Sequence, residues 1–394
     1  MFKFQRDAKL FLWGNFLFGF GLTGFIFLFN LYMKARGFGE GSIGTLLAVR
    51  NYATMLLAIP AALIVRKMTL KPLFLIVVIF SAIGYTIPVI AESMPQILSG
   101  MAISGLFAAF FSVISGPFIM QTSTKRERTH LFSFNFAVSL SSGILGNIVA
   151  GNLPLIISRG GVSLVTGYRD AMLIHIVFSL FSLVPFLLIK EKGLADRETL
   201  KHFTHIGTSK LLILKLSLPH ILVGLGAGIT IPFLNLYFRD KFLLNSAQIG
   251  YLFSISQALM IVGTLLAPFF SKRLGKIKTV ILSQLLSVPF LFFLGVTHNL
   301  LIAIISFLLR AALMNMAQPL VTNFSLEMVN KNDQSLISGI LNVAWLSAWG
   351  ISANIGGRLI EAKGYFIPFN LTIVAYLVSS FVYALVLLPM EREK

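Results

Sequence analysis

The sequence contains no cysteine. Disulfides, thiolate nucleophiles and cysteine-ligated metals are therefore excluded. Charge is also scarce. Asp, Glu, Lys and Arg make up 12% of the chain, about half of what a soluble domain carries. Only 14 residues are acidic. All of them (Asp7, Glu40, Glu92, Glu127, Asp170, Glu191, Asp196, Glu198, Asp240, Glu327, Asp333, Glu361, Glu391 and Glu393) map to connections, tails or the ends of apolar runs. Many proton-coupled carriers keep a carboxylate at membrane depth to take and release the proton. That mechanism loses weight here, as does recognition of a lipophilic cation by a buried acid, although aromatic faces alone can hold a cation. No His/Asp/Glu cluster has metal-ligand spacing. No phosphate loop of the G-x-x-x-x-G-K-[ST] type occurs. No Ser/His/acid set can be assembled inside the apolar runs. An enzyme is not expected, no cofactor or metal is called for, and direct ATP drive within this chain is disfavoured.

What the chain has instead is apolar length. Hydrophobic residues make up 56% of it, and a water-soluble fold has no use for so many long apolar runs. Twelve runs are long enough to cross a bilayer as helices: 9–33, 42–65, 71–91, 96–120, 130–154, 170–190, 212–238, 246–270, 277–296, 300–323, 334–358 and 365–389. The first run exceeds the length of a signal-peptide core, and no small-x-small cleavage site follows it, so a cleavable signal peptide is not expected. With the N-terminus inside, 22 of the Lys and Arg residues fall in inner segments and 8 in outer ones. That bias places both termini in the cytoplasm and the chain in a plasma (inner) membrane. The net charge of +18 is then a topology and lipid-headgroup signal, not a nucleic-acid footprint. The one long polar stretch, Glu191–Lys210, reads as a cytoplasmic linker.

The runs repeat. Asn30-Leu31-Tyr32 returns as Asn235-Leu236-Tyr237, and Gly19 and Gly21 return as Gly224 and Gly226, all at an offset of 205. Ile43-Gly44 matches Ile249-Gly250 at 206, and Ile59-Pro60 matches Ala267-Pro268 at 208. The chain thus reads as two copies of one unit: residues 1–190 and 211–394, with linker 191–210 between them. Six spans per copy is an even number, so both copies enter the membrane from the same side, as parallel repeats. A period near 200 residues excludes a solenoid. Two copies of an apolar helical unit are a transporter signature.

The loop after span eight carries Pro268, Lys272, Arg273, Gly275, Lys276 and Lys278. It resembles the G-x-x-x-D-R-x-G-R-R loop of the major facilitator superfamily, with Lys272 in place of the Asp. The loop after span two, with Arg66, Lys67 and Lys71, is a weaker copy. The resemblance covers the full length. It implies an all-α integral membrane fold of twelve transmembrane helices in two pseudo-symmetric six-helix halves, with spans 1, 2, 4, 5, 7, 8, 10 and 11 lining a central cavity. It also implies a conformational latch at Arg66, Lys67, Lys272, Arg273 and Gly275. Loss of the Asp puts that latch in doubt or moves it to Glu327. In span five, Ser142, Gly146, Asn147, Ala150 and Gly151 are similar to the glycine-rich motif of the family's drug/proton antiporters, without its Pro. Ser352 to Gly357 repeat the pattern in span eleven. Small residues there suit close helix packing, with or without antiport. Pro117 and Pro319 pair spans four and ten as bends or tolerated kinks.

Arg50 and Arg310 lie inside spans, away from their ends, and both fall on spans that the resemblance makes cavity-lining. Guanidiniums suit a carboxylate or phosphate, held bidentately. Alternatively each bonds backbone carbonyls or snorkels outward. Asn135, Ser139 and Ser142 in span five, and Asn342, Trp345 and Trp349 in span eleven, form stripes at helical spacing. Gln257 and Asn315, with Gln318, add neutral groups near the presumed midplane. Arg50, Arg310, Gln257, Asn315, Asn135, Ser139, Asn342 and Trp345 are therefore the candidate substrate-binding set. His175 is expected at headgroup level near the outer end of span six, beside Asp170. The function expected is secondary transport of a small molecule by alternating access. It is either efflux of an amphipathic or hydrophobic compound, as by an antiporter, or exchange of an organic anion. The alternative is a non-transporting sensor or scaffold on the same fold. Expected partners are the substrate, membrane lipid and a coupling proton or counter-anion, with a monomer as the working unit and no nucleic acid.

Overall fold

A computed structural model describes residues 4–65, 68–124, 127–190, 207–330 and 333–392. Arg66, Lys67 and most of the expected linker lie outside the described residues. The described chain is helical, without a strand. In hydrocarbon every backbone N–H and C=O must find a partner, and an apolar run meets that condition alone only as a helix. The first six expected spans correspond to α1 (Arg6–Ala35), α2 (Glu40–Val65), α3 (Leu70–Ile90), α4 (Met94–Thr122), α5 (Arg128–Ser158), and α6 (Leu164–Leu180) with the short α7 (Leu183–Leu187). The remainder are α8 (Lys210–Thr230) with α9 (Leu234–Phe242), α10 (Ser246–Leu274), α11 (Lys276–Val296), α12 (Leu300–Glu327), α13 (Gln334–Lys363), and α14 (Phe366–Val382) with α15 (Leu388–Arg392). Among the described residues, 11 helical segments are long and apolar enough to cross a membrane. The 26-residue α2 occupies the place of the remaining span.

Three spans differ from the sequence reading. The sixth begins at Leu164, not at 170, because Ser163 caps the helix with its hydroxyl on the Thr166 N–H. The seventh is not continuous: a 3-10 turn, Ile231–Phe233, separates α8 from α9. Pro232, which has no N–H to give, sits in that turn. The last span passes through a π turn, Tyr383–Leu387, ahead of Pro389.

Two compact units result. One comprises Met1–Phe38, Val49–Thr199 and Leu244–Ser254; the other comprises Gly39–Ala48, Leu200–Leu243 and Ile255–Lys394. Within the first, α1 packs on α5 and α6, and α3 packs on α4 and α6. Within the second, α8 packs on α13 and α14, and α11 packs on α12 and α14. The pairings are the same at the repeat offset. The first core is aromatic: Phe11, Phe74, Phe118 and Phe186 are buried together, with Phe74 stacked on Phe186 at 4.7 Å between ring centres. The second is aliphatic, around Leu216, Ile277, Val280, Leu320 and Ile337.

The repeat marks are contact points. The Tyr32 hydroxyl donates to the Val89 carbonyl at 2.7 Å, and the Tyr237 hydroxyl donates to the Leu294 carbonyl at 2.6 Å. Each bond spans 57 residues and ties the first helix of its repeat to the far end of the third. A side chain at Gly21 would collide with Ser179 of α6, and one at Gly226 would collide with Tyr376 of α14. The conserved spacing of the repeat is thus the spacing at which two helices can touch. Tyr237→Phe is expected to cost about 1–3 kcal/mol, since the buried Leu294 carbonyl loses its partner. Thermal unfolding of the purified variant would measure it, and an unchanged midpoint would show that the bond contributes nothing.

Candidate functional site

In the second unit, Arg310 lies on α12 and is buried to 5% exposure. One guanidinium nitrogen donates to the Tyr376 hydroxyl of α14 at 3.2 Å, while Nε is buried without a partner. A carboxylate does not pair with it among the described residues. Arg50 lies on α2 in the first unit and is half-buried. A guanidinium nitrogen donates to the Tyr85 hydroxyl of α3 at 3.5 Å, and its Nε is likewise buried and unpartnered among the described residues. Each arginine thus has a tyrosine from its own unit as its tether. The two come from helices that the sequence reading treated as peripheral, so Tyr85 and Tyr376 were not among its candidates. A tyrosine within a span is a polar group that needs an acceptor or donor, and that need was the available signal.

The span-five stripe faces α1. Asn15 donates to the Asn135 side-chain oxygen at 2.6 Å and to the Ser139 hydroxyl at 3.1 Å. Ser142 packs against Gly19. The stripe therefore makes interhelical hydrogen bonds inside the first unit, and Asn15 is a partner that sequence reasoning missed. Along α13, Asn342 is exposed, whereas Trp345 is half-buried and its ring lies 6.2 Å from that of Trp349. Asn315 donates to the Ala311 carbonyl within α12 at 2.9 Å, and Gln257 is half-buried on α10. Trp345 lines a cavity inside the second unit with His220, Gln284, Gln318 and Tyr383. His220 and Gln284 were also missed. An amide in the middle of the apolar span 277–296 was the readable signal.

The loop expected to hold a latch is built differently from the family pattern. Gly275 adopts φ +90° ahead of α11, a conformation that side chains rarely accept. The Glu391 carboxylate then accepts from the Lys276 N–H at 2.6 Å and the Ile277 N–H at 3.1 Å, capping α11. The Lys276 ammonium binds Glu327 at 2.6 Å and the Asn323 side chain at 2.6 Å. Arg273 lies over the Phe269 ring at 4.5 Å, and Lys272 is exposed. Glu327 is thus engaged by Lys276, and the acid at the start of α11 comes from the C-terminal end of the chain.

The expectation for His175 is corrected. It is fully buried, packed between Gly24 and the Phe20 ring, whose centre is 5.0 Å away. Asp170 pairs with Arg169 at 2.9 Å instead. The helix starts one and a half turns earlier than expected, and this carries position 175 away from the end and into the bundle.

A family model described as Major Facilitator Superfamily matches residues 11–218 and again residues 216–394. Curated protein sequences give no match. Among solved structures, a bacterial homologue of the human lysosomal transporter Spinster, inward-facing and unoccupied, is 14% identical with a TM-score of 0.77, covering 97% of each chain. The nucleoside transporter NupG is 14% identical with a TM-score of 0.75, covering 96% of this chain and 98% of its own. A bacterial homologue of the iron transporter ferroportin, inward-facing, is 16% identical with a TM-score of 0.73, covering 96% and 98%. At these identities the likeness is one of fold.

Proposed function

The chain belongs to the Major Facilitator Superfamily, and from that premise we propose that it moves an amphipathic small molecule bearing an anionic group across the membrane by alternating access. The multi-pass membrane fold and the transporter family frame the reading. The observation that carries the substrate class is Arg310. A guanidinium held in a membrane helix is costly unless something compensates it. Here a tyrosine hydroxyl is its hydrogen-bond partner and Nε is left open. A carboxylate or phosphate monoester would supply both the charge and the acceptors. The Trp345–Trp349 pair on α13, in the same unit, suits the rest of an amphipathic molecule.

In this reading residues 1–190 and 211–394 are the two six-helix halves, 191–210 is the cytoplasmic linker, and both termini are cytoplasmic in the plasma membrane. Gln257, Asn315, Asn342 and Trp345, in the same unit as Arg310, complete the binding set in this reading, and the Lys276–Glu327 pair replaces the family's Asp in the latch. Exchange against a counter-anion is a mode that needs no membrane-depth carboxylate. Efflux is the second reading, favoured by the small-residue motif of span five.

The test is thermal unfolding of the purified protein with two ligand panels, since a ligand bound to the folded state alone raises the midpoint. Carboxylates and phosphate monoesters with apolar bodies are expected to raise it, and Arg310→Gln is expected to weaken their apparent affinity about tenfold or more. A shift produced only by neutral or cationic lipophilic compounds, and untouched by the substitution, would make Arg310 structural and turn the reading to multidrug efflux.

A further inference from the structure

The cavity inside the second unit holds more unanswered hydrogen-bonding capacity than its surroundings explain. Gln284, on α11, is 1% exposed, and neither its side-chain oxygen nor its nitrogen has a partner among the described residues. The Trp345 indole nitrogen is buried without an acceptor. His220 lies 3.0 Å through Nδ1 from the Leu216 carbonyl. A carbonyl only accepts, so Nδ1 carries the hydrogen and Nε2 presents a lone pair. Gln318 and Tyr383 complete the polar lining, the rest is aliphatic or methionine, and among the described residues no acid, lysine or arginine lines the cavity. The free space amounts to about 20 Å³ for the centre of a water molecule. That is enough for a water or for the tip of a larger molecule.

We propose that this cavity is a recognition subsite for the uncharged hydrogen-bonding end of a ligand, such as a primary amide, that both donates and accepts. Such a tip accepts from the Trp345 N–H and meets both edges of the Gln284 amide. A charged tip would sit in a low-dielectric pocket without a counter-charge. The subsite also deepens the reading of the substrate, and in this respect it rests on the role given to Arg310. Arg310 precedes Met314 of the cavity lining by one helical turn on the same face of α12. The substrate then carries its neutral donor-acceptor group roughly 6–12 Å from its anionic group, one to two turns along the helix.

The experiment compares benzamide with methyl benzoate, benzoate and benzylamine as probes in thermal unfolding of the full chain, in wild type, Gln284→Met, Trp345→Phe and Arg310→Gln. Benzamide is expected to raise the wild-type midpoint saturably, with methyl benzoate, which cannot donate, at least about fivefold weaker. Gln284→Met and Trp345→Phe are each expected to weaken benzamide by about fivefold or more, whereas Arg310→Gln leaves it unchanged. No benzamide shift up to its solubility, a shift that survives both substitutions, or a stronger Gln284-dependent shift with benzoate or benzylamine would each overturn the subsite. Failure of the anion reading is seen separately, as anions that gain nothing from Arg310 while benzamide still binds.

Discussion

Gly226→Leu is expected to destabilise the protein by about 3 kcal/mol or more, at the upper end of overpacking costs. A Cβ at this position would stand 2.9 Å from the Ala375 Cβ and 3.0 Å from the Tyr376 ring. Neither neighbour can retreat. Tyr376 is fully buried, and its hydroxyl accepts from Arg310. Displacing the ring therefore also removes the tether of the guanidinium, so the loss of stability should come with a loss of anion binding. Gly226→Ala should show the same two effects more weakly, because alanine adds only the Cβ. The measurements are the thermal midpoint and the anion-induced shift on the same preparation. A leucine variant with both unchanged would mean that α8 and α14 are not in close contact at this level.

Gln284→Met should have the opposite sign. The substitution removes two unpartnered buried polar atoms and keeps an unbranched side chain of similar volume. Leaving such an amide unsatisfied costs about 1–3 kcal/mol, so the ligand-free variant should be more stable by up to that amount. The expected gain applies to the ligand-free protein and is the counterpart of the ligand affinity it forfeits. A lower midpoint without ligand would show that the amide is satisfied by internal water and contributes to the fold.

The fold was legible because bilayer physics leaves so little choice. Apolar length gave the spans, and a drift of three residues in the offset between the copies gave the internal duplication. The structure supplies what that duplication is for: Tyr32 and Tyr237 make the same long-range bond, and Gly21 and Gly226 mark the same helix crossing. Helix interruptions were harder to read. Pro232 breaks the seventh span, yet Pro60, Pro88 and Pro319 lie within continuous helices, so proline alone does not say which helix will yield. The candidate site was legible on one side only. Arg50 and Arg310 announced themselves as charges in apolar runs, but Tyr85 and Tyr376 did not, because a tyrosine in a span reads equally as bulk. Gln284 and His220 escaped for a related reason. Both line a cavity, and Gln284 matters for what fails to reach it; a cavity and a missing partner are properties of three-dimensional packing rather than of spacing.

The cap on α11 has a consequence for biosynthesis. The first turn of a helix carries N–H groups that need an acceptor, and for Lys276 at the start of α11 that acceptor is Glu391, 115 residues later in the chain. During translation α11 must therefore enter the bilayer and wait with its end open while α12, α13 and α14 are made. The start of α11 gains its side-chain acceptor only once Glu391 has been made. Shortening the chain by so little as the segment from Glu391 onward would leave every span present and the assembly unfinished, a defect to be sought in the yield of folded protein rather than in its insertion.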